Sequence, residues 1–125
     1  MTENEIARQV VDAAYKIHSL LGPGLFESVY EKILAAELEK RGLCFVRQQA
    51  IPLVYETLHL GAGFRADLIV EGKVIVEIKS VDAIAPVHRK QLLTYLKLAD
   101  MRLGLLINFN SVLIKDGIIR IVNGL

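Results

Sequence analysis

The sequence has one cysteine, no long apolar run and almost no net charge, and each absence excludes a class of protein. Cys44 alone cannot form an internal disulfide or a cysteine cluster for a metal, so a reducing cytoplasm is expected. No stretch reaches the roughly 18 uninterrupted apolar residues of a membrane span. The polar, acidic start MTENEIARQV lacks the layout of a secretion signal. We therefore expect a cytoplasmic protein without membrane association.

The 15 basic and 14 acidic residues nearly balance, so composition alone does not indicate a nucleic-acid-binding protein. The distribution is uneven, because residues 86–125 hold six basic and two acidic side chains. This excess can steer a polyanion or form an ordinary solvated surface, and the sequence leaves both open. With 53% apolar residues among 125, the chain can bury one core, and we expect a single domain over residues 1–125.

Apolar residues at three- and four-residue spacing predict three helices. The first covers residues 3–21 and must end at Gly22-Pro23-Gly24, since proline lacks an amide and glycine tolerates a left-handed cap. The second covers about 26–41, and the third begins at Pro86 and ends near residue 99.

Segments rich in Val, Ile, Leu, Phe and Tyr predict the strands. They are 43–47, 49–55 and 57–60 (short strands or one bent hairpin), 64–70, 74–79, 103–108, and a hairpin of 112–115 and 118–122 around Asp116-Gly117. The predicted order is α-α-β-β-β-α-β-β-β. It indicates an α/β or α+β fold whose central strands are covered on both faces.

Three charged residues interrupt two apolar predicted strands, with Asp67 in the first and Glu77 and Lys79 in the second. An unpaired charge removed from water costs free energy, so these positions need partners. Two carboxylates and an ammonium suit a site for Mg²⁺ or Mn²⁺, where the metal takes phosphate oxygens and the lysine orients a water. The alternative is an ion pair on an exposed strand face.

The loop between these strands decides whether the charges meet. A two-residue turn at Glu71-Gly72 places Asp67 and Glu77 on opposite faces, because side chains alternate along a strand. A three-residue loop with Gly72 in a left-handed bulge brings the two carboxylates together. A joint purpose for the charges therefore predicts an odd loop.

Two predicted helices carry further polar side chains at helical spacing. Gln91 and Tyr95 share one face of the third helix, with His88 one turn earlier, and Glu27 and Tyr30 lie together on the second. Ordinary surface residues, and a first-turn acid favoured by the helix dipole, are the alternatives.

In combination these residues resemble the PD-(D/E)xK nuclease superfamily, whose signature is a carboxylate on one strand and (D/E)-x-K on the next. Here these are Asp67 and Glu77-Ile78-Lys79, with Ala66 where the superfamily usually has proline. The segment Gln91-Leu92-Leu93-Thr94-Tyr95 looks like the QxxxY element of the RecB-like branch. Within the superfamily the chain is most similar to the GxxExxY protein family, through the heptapeptide GLFESVY at residues 24–30.

The resemblance implies a restriction-endonuclease-like αβββαβ core. Its central mixed sheet is flanked by helices, with an extra N-terminal helix and a C-terminal β-hairpin. It implies that Asp67, Glu77 and the carbonyl of Ile78 ligate Mg²⁺ or Mn²⁺. Glu27 would bind a second metal, directly or through water, or hold Lys79.

The resemblance also implies roles for the residues around the metal. Lys79 positions the attacking water or stabilises the transition state, and Gln91 and Tyr95 line the site. The supporting candidates are His18, Tyr30, Arg65 and His88. Tyr30 is expected to be a packing residue that fixes Glu27.

The implied function is a metal-dependent nuclease that hydrolyses phosphodiester bonds in DNA rather than RNA. The main alternative is a non-catalytic nucleic-acid-binding or protein-interaction module that retains the nuclease fold. A structural ion cluster in a small α/β domain is the third hypothesis. Nucleic acid is the expected partner, and a homodimer is an expected assembly.

Overall fold

The computed structural model describes residues 1–125 and contains one mixed sheet with helices on both sides. The elements are α1 (Glu3–Leu21), α2 (Glu27–Lys40), β1 (Phe45–Tyr55), β2 (Leu58–Val70), β3 (Val74–Lys79), α3 (Pro86–Ala99), β4 (Leu103–Asn108), the 3₁₀ turn Ile114–Gly117 and β5 (Ile118–Val122). The sheet order is β1-β2-β3-β4-β5, and only β3 and β4 are parallel. The predicted αβββαβ order, from α2 to β4, is confirmed.

Two apolar clusters hold the layers together. Helices α1 and α2 pack on one face of the sheet, where Leu34 and Val76 belong to a cluster of 21 buried residues. Helix α3 covers the other face through a cluster of seven that includes Leu92 and Ile75. The central strands are buried on both faces, which explains their almost continuous apolar sequences. None of the helices combines the length and hydropathy that a bilayer crossing requires.

The Gly22-Pro23-Gly24 turn fixes where α2 begins. Gly22 and Gly24 have φ values of 71° and 105°, in the region that favours glycine. The fully buried Tyr30 closes the turn, because its hydroxyl donates to the Gly22 carbonyl (2.6 Å) and accepts from the Leu25 amide (3.2 Å). The first turn of α2 is therefore held in place from inside the core.

The loop between β2 and β3 has three residues, Glu71–Lys73. The first two have positive φ values of 53° and 64°. Leu68 pairs with Val76, and continuation of this register puts Asp67 opposite Glu77. The predicted odd loop is confirmed, and the two carboxylates lie on the same face of the sheet.

For the segments between residues 43 and 60 the bent hairpin is correct and the separate short strands are wrong, because β1 and β2 form one antiparallel pair. The predicted break before Phe64 is wrong, because β2 pairs with β1 along nearly its whole length. Within this hairpin, residues 52–63 are exposed apart from the half-buried Leu53. We call these residues the distal ribbon, since no helix covers them.

The predicted strand at residues 112–115 is also wrong. The C-terminal antiparallel pair is formed by β4 and β5, and Asp116-Gly117 belongs to the 3₁₀ turn. Strand β4 has a free edge whose backbone groups need partners, and β5 satisfies them. Ile114 is buried in the larger cluster while Val112 is exposed, so this segment is anchored by one side chain.

Glycine at position 104 lets α3 approach the sheet closely. A Cβ atom there would lie 2.9 Å from the Cγ and both Cδ atoms of Leu92. Leu92 is fully buried and is followed on the same helix by Tyr95 and preceded by Gln91. The glycine in β4 therefore sets the distance of α3 from the sheet, and with it the position of Gln91 and Tyr95.

We expect Gly104→Ala to lower the free energy of unfolding by about 1–3 kcal/mol, because the added methyl group overpacks the contact with Leu92. Urea denaturation measures the change. A double-mutant cycle with Leu92→Ala supplies the control, since the same methyl group should cost much less once the leucine is removed. Equal costs in both backgrounds would contradict this explanation.

Candidate active site

A cavity of about 190 Å³ opens where β2 and β3 separate, below α3. Residues from α2, β2, β3, α3 and β4 line it. They are Glu27, Arg65, Asp67, Glu77, Ile78, Lys79, His88, Gln91, Leu92, Tyr95 and Leu106. The structure thus brings together the six side chains predicted to be catalytic, together with two of the four supporting candidates.

Asp67 lies at the point where the backbone ladder between β2 and β3 stops. Its Oδ2 accepts a hydrogen bond from the Ile78 amide at 2.9 Å, in place of a main-chain carbonyl. Its Oδ1 accepts from Nε2 of Gln48 at 3.3 Å. The carboxylate therefore has a defined orientation, and it bridges β2 and β3 where the two strands diverge.

Glu77 is the only residue with a buried side-chain polar atom that lacks a hydrogen-bond partner. The residue is 6% exposed, and its Oε1 is buried without a hydrogen-bond partner. Burial raises the pKa of Glu77 from 4.5 to about 9, and the neighbouring carboxylate of Asp67 adds to the increase, while Lys79 opposes it. Without a cation, this position favours the protonated acid.

Lys79 lines the cavity from β3 and Tyr95 lines it from α3. Lys79 follows Glu77 on the same face of β3, is half-buried and forms no ion pair. The ring of Tyr95 stacks on Phe64 with centroids 3.8 Å apart. Burial raises the pKa of the Tyr95 phenol, and the charges of Glu77 and Asp67 raise it further, so the phenol remains protonated at neutral pH.

Glu27 reaches the cavity from the first turn of α2. Its Oε2 accepts a hydrogen bond from the Ser80 amide at 2.9 Å, and Ser80 Oγ donates to the Leu25 carbonyl at 2.8 Å. These bonds tie α2 to the end of β3. No three acidic, histidine or cysteine side chains converge as a cluster that could hold a metal.

Two of the supporting candidates line the cavity. His88 also closes the first turn of α3, because its Nδ1 accepts from the Ala85 amide at 3.1 Å. Arg65 donates from a terminal guanidinium nitrogen to the Gln48 carbonyl at 3.0 Å. Each of these side chains therefore makes one hydrogen bond to the backbone and also lines the cavity.

The other two supporting candidates do not line the cavity. His18 donates from Nε2 to the Ser111 carbonyl at 2.8 Å, which joins the end of α1 to the segment after β4. Tyr30 stacks on Phe109 with centroids 4.5 Å apart, inside the larger apolar cluster. These two residues act on the fold around the site rather than on its contents.

Sequence analysis missed a polar network beside the cavity. Glu31 is buried, and its carboxylate contacts Arg47 and Gln48, of which Gln48 continues to Asp67. A second acid one helical turn after Glu27, on the same predicted helix, was the available signal. The positive φ of Gln48 (51°) could not be predicted from the sequence, because a glycine is the usual indication of such a conformation.

Asn108 was also missed, although it ends a buried apolar strand. Its Oδ1 accepts from the Val81 and Asn110 amides, at 3.1 Å and 3.2 Å, and its Nδ2 donates to the Val81 carbonyl at 2.9 Å. The buried amide thereby fixes the chain that leaves β3. A polar residue at the carboxyl end of a central strand was the available signal.

In the absence of a metal, we expect the free energy of unfolding to fall as the pH rises. The folded protein binds the proton of Glu77 more tightly than the unfolded chain, so this contribution is complete below 4.5 and is lost as the pH passes about 9. Glu77→Gln cannot ionise and should be more stable at alkaline pH by on the order of a few kcal/mol. Urea denaturation in EDTA, over a pH series spanning that window, measures it.

Glu56→Gln is the matched control, because Glu56 is exposed between β1 and β2 and does not line the cavity. It should retain the pH dependence of the wild type. An unchanged pH profile in Glu77→Gln would show that another group is responsible.

Comparison with known families agrees with the geometry. A model of the PD-(D/E)XK nuclease superfamily matches residues 4–121, which include all of the helices and strands except the first residue of α1 and the last of β5, and the whole cavity. No curated protein and no solved structure gives a significant match. The mixed sheet with its flanking helices is consistent with the restriction-endonuclease-like core. This chain therefore belongs to the PD-(D/E)XK nuclease superfamily.

Proposed function

We propose that this protein is a metal-dependent nuclease that hydrolyses phosphodiester bonds, in DNA rather than RNA. The observation that carries the proposal is the buried, unpartnered Oε1 of Glu77, next to Asp67 and on the same face as Lys79. A buried carboxylate without a partner is costly unless a cation compensates it. No protein cation forms an ion pair with Glu77. A metal ion would supply the missing positive charge.

The residues present fit Mg²⁺ or Mn²⁺. Asp67, Glu77 and the carbonyl of Ile78 would hold the ion through hard oxygen atoms, and few protein ligands are needed because Mg²⁺ keeps several waters. Glu27, whose carboxylate is bonded to Ser80, would act at a second ion through water or help to hold Lys79. When bound, the ion supplies Lewis-acid polarisation of the phosphate.

The other cavity residues would bind the substrate and order the reacting groups. In the reaction, a water oxygen bonds to phosphorus, one ester P–O bond breaks, and the departing oxygen takes a proton. The ammonium of Lys79 would orient the water and stabilise the charge that develops on the phosphate oxygens. Gln91 and the protonated Tyr95 would donate hydrogen bonds to a phosphate or orient Lys79. Arg65 would contact a phosphate or neutralise Glu77.

The substrate class, the subfamily and the assembly are supported by the sequence as a whole. The excess of basic residues in 86–125 supports a polyanionic substrate, because long-range attraction raises its local concentration. The QxxxY and GxxExxY motifs support placement in the RecB-like branch and the GxxExxY family. A homodimer would allow both strands of a duplex to be cut.

We expect the purified protein to cleave DNA with Mg²⁺ or Mn²⁺, and Lys79→Ala to lower kcat by at least about 100-fold, because the water and the transition state lose their cation. Plasmid, single-stranded, branched DNA and RNA serve as substrates, and gel assays follow the products. Lys97→Ala, an exposed lysine of α3 outside the cavity, is the control and should keep full activity. If no substrate is cut above the level of Lys79→Ala, the protein is a non-catalytic module.

Calorimetry tests the metal site without a turnover assay. We expect wild-type protein to bind Mn²⁺, and Asp67→Asn to bind it at least about 10-fold more weakly, because an amide is a poor ligand and carries no charge. Asp82→Asn, an exposed acid that does not line this cavity, is the matched control and should bind normally. Equal affinities for wild type and Asp67→Asn would remove Asp67 from the metal site.

A further inference from the structure

Gln48 has a backbone conformation that its place in a strand does not predict. It lies in β1 between Arg47, which pairs with Leu68, and Gln49, which pairs with Ala66. This register puts Gln48 opposite Asp67. Its φ is 51°, in the left-handed region that is unfavourable for a residue with a side chain. The site at Asp67 is thus faced by a strained residue.

The side-chain amide of Gln48 joins two carboxylates. Its Nε2 donates to Oε1 of Glu31 at 2.6 Å and to Oδ1 of Asp67 at 3.3 Å. An amide nitrogen carries two hydrogens, so both are used. Since both partners are carboxylate oxygens, only the nitrogen end of the amide can face them.

Glu31 gives this amide a fixed anchor. The residue is 5% exposed, and its second oxygen, Oε2, accepts two hydrogen bonds from Arg47, at 3.1 Å and 2.8 Å. The buried carboxylate is thus compensated on both oxygens and cannot reorient without losing a partner. Glu31 lies one turn after Glu27 on α2, so the network connects this helix to Asp67.

The backbone of Gln48 holds a second cavity residue. Its carbonyl accepts a hydrogen bond from Arg65 at 3.0 Å. Arg65 and Asp67 are two positions apart on β2 and both line the cavity. One residue outside the cavity therefore contacts two residues inside it, through different groups.

We propose that Gln48 is a positioning residue, whose amide aims the carboxylate of Asp67 at the metal by holding it against the buried Glu31, which is itself paired with Arg47. This inference rests on the proposed metal-dependent function. The left-handed conformation is retained because it lets the amide span Glu31 and Asp67. A glycine would adopt the same backbone without strain but would leave Asp67 Oδ1 without this donor.

Gln48→Gly separates the positioning role from a structural one. The variant relieves the positive φ and retains the carbonyl that accepts from Arg65. We expect the metal-free variant to remain folded and to melt above Gln48→Ala, because both variants lose the amide bond to Glu31 and only glycine relieves the positive φ. We expect Mn²⁺ affinity measured by calorimetry to fall by about 10-fold or more, as for other residues that orient a metal ligand.

A matched pair of variants provides the control. Gln48→Ala removes the same amide and should weaken Mn²⁺ binding similarly, whereas Gln49→Ala should bind Mn²⁺ normally. The exposed Gln49 makes its only side-chain hydrogen bond to the neighbouring Ala50 carbonyl, at 3.1 Å. At saturating Mn²⁺, DNA cleavage by Gln48→Gly should recover most of the wild-type kcat, since the ligands themselves are intact.

The outcomes separate this inference from the function on which it rests. If the wild type binds no Mn²⁺, the metal-dependent function fails and the positioning role falls with it. If the wild type binds and Gln48→Gly binds equally well, the positioning role alone is overturned. Unfolding of Gln48→Gly would also overturn it, because the residue would then be required by the fold rather than by the site.

Discussion

The hydrogen bond from the Ile78 amide to the carboxylate of Asp67 is the contact on which this site depends. Beyond the Leu68–Val76 pair, β2 and β3 no longer exchange backbone hydrogen bonds, and a side chain takes over. The strands can separate there without leaving that buried donor unsatisfied. The separation makes the cavity, and it leaves Glu77 facing Asp67 rather than a neighbouring backbone.

The elements around this point restrain the two carboxylates from three directions. Helix α2 is held by the Tyr30 hydroxyl and by the bond between Glu27 and Ser80. Helix α3 is set close to the sheet by Gly104, and the Gln48 network holds Asp67 from β1. The fold thereby brings together two carboxyl groups whose ionised forms repel one another and are more stable in water. Such a local cost in stability is expected at a functional site.

The sequence predicts most of this arrangement, for reasons that can be stated residue by residue. The helices and the buried strands β3 and β4 follow from apolar periodicity, and the odd loop at Gly72 follows from requiring Asp67 and Glu77 to meet. Tertiary pairing decides the rest. The residues after β4 read as a hairpin with turn residues, yet the free edge of β4 recruits β5 instead. The role of Gln48 depends on a φ value that no pattern encodes.

The distal ribbon gives β2 two different stabilities along its length. Its exposed half is held only by β1, and a two-stranded ribbon without a packed face is marginal in water. The half from Ala66 to Val70 is buried, and its last three residues pair with strands on both sides. Amide hydrogens of the distal ribbon should exchange with solvent through local opening, whereas those near Val70 should exchange only through global unfolding. One strand thus crosses a boundary between cooperative units, and Arg65 and Asp67 lie at that boundary, where the chain passes from a region that opens easily to one that does not.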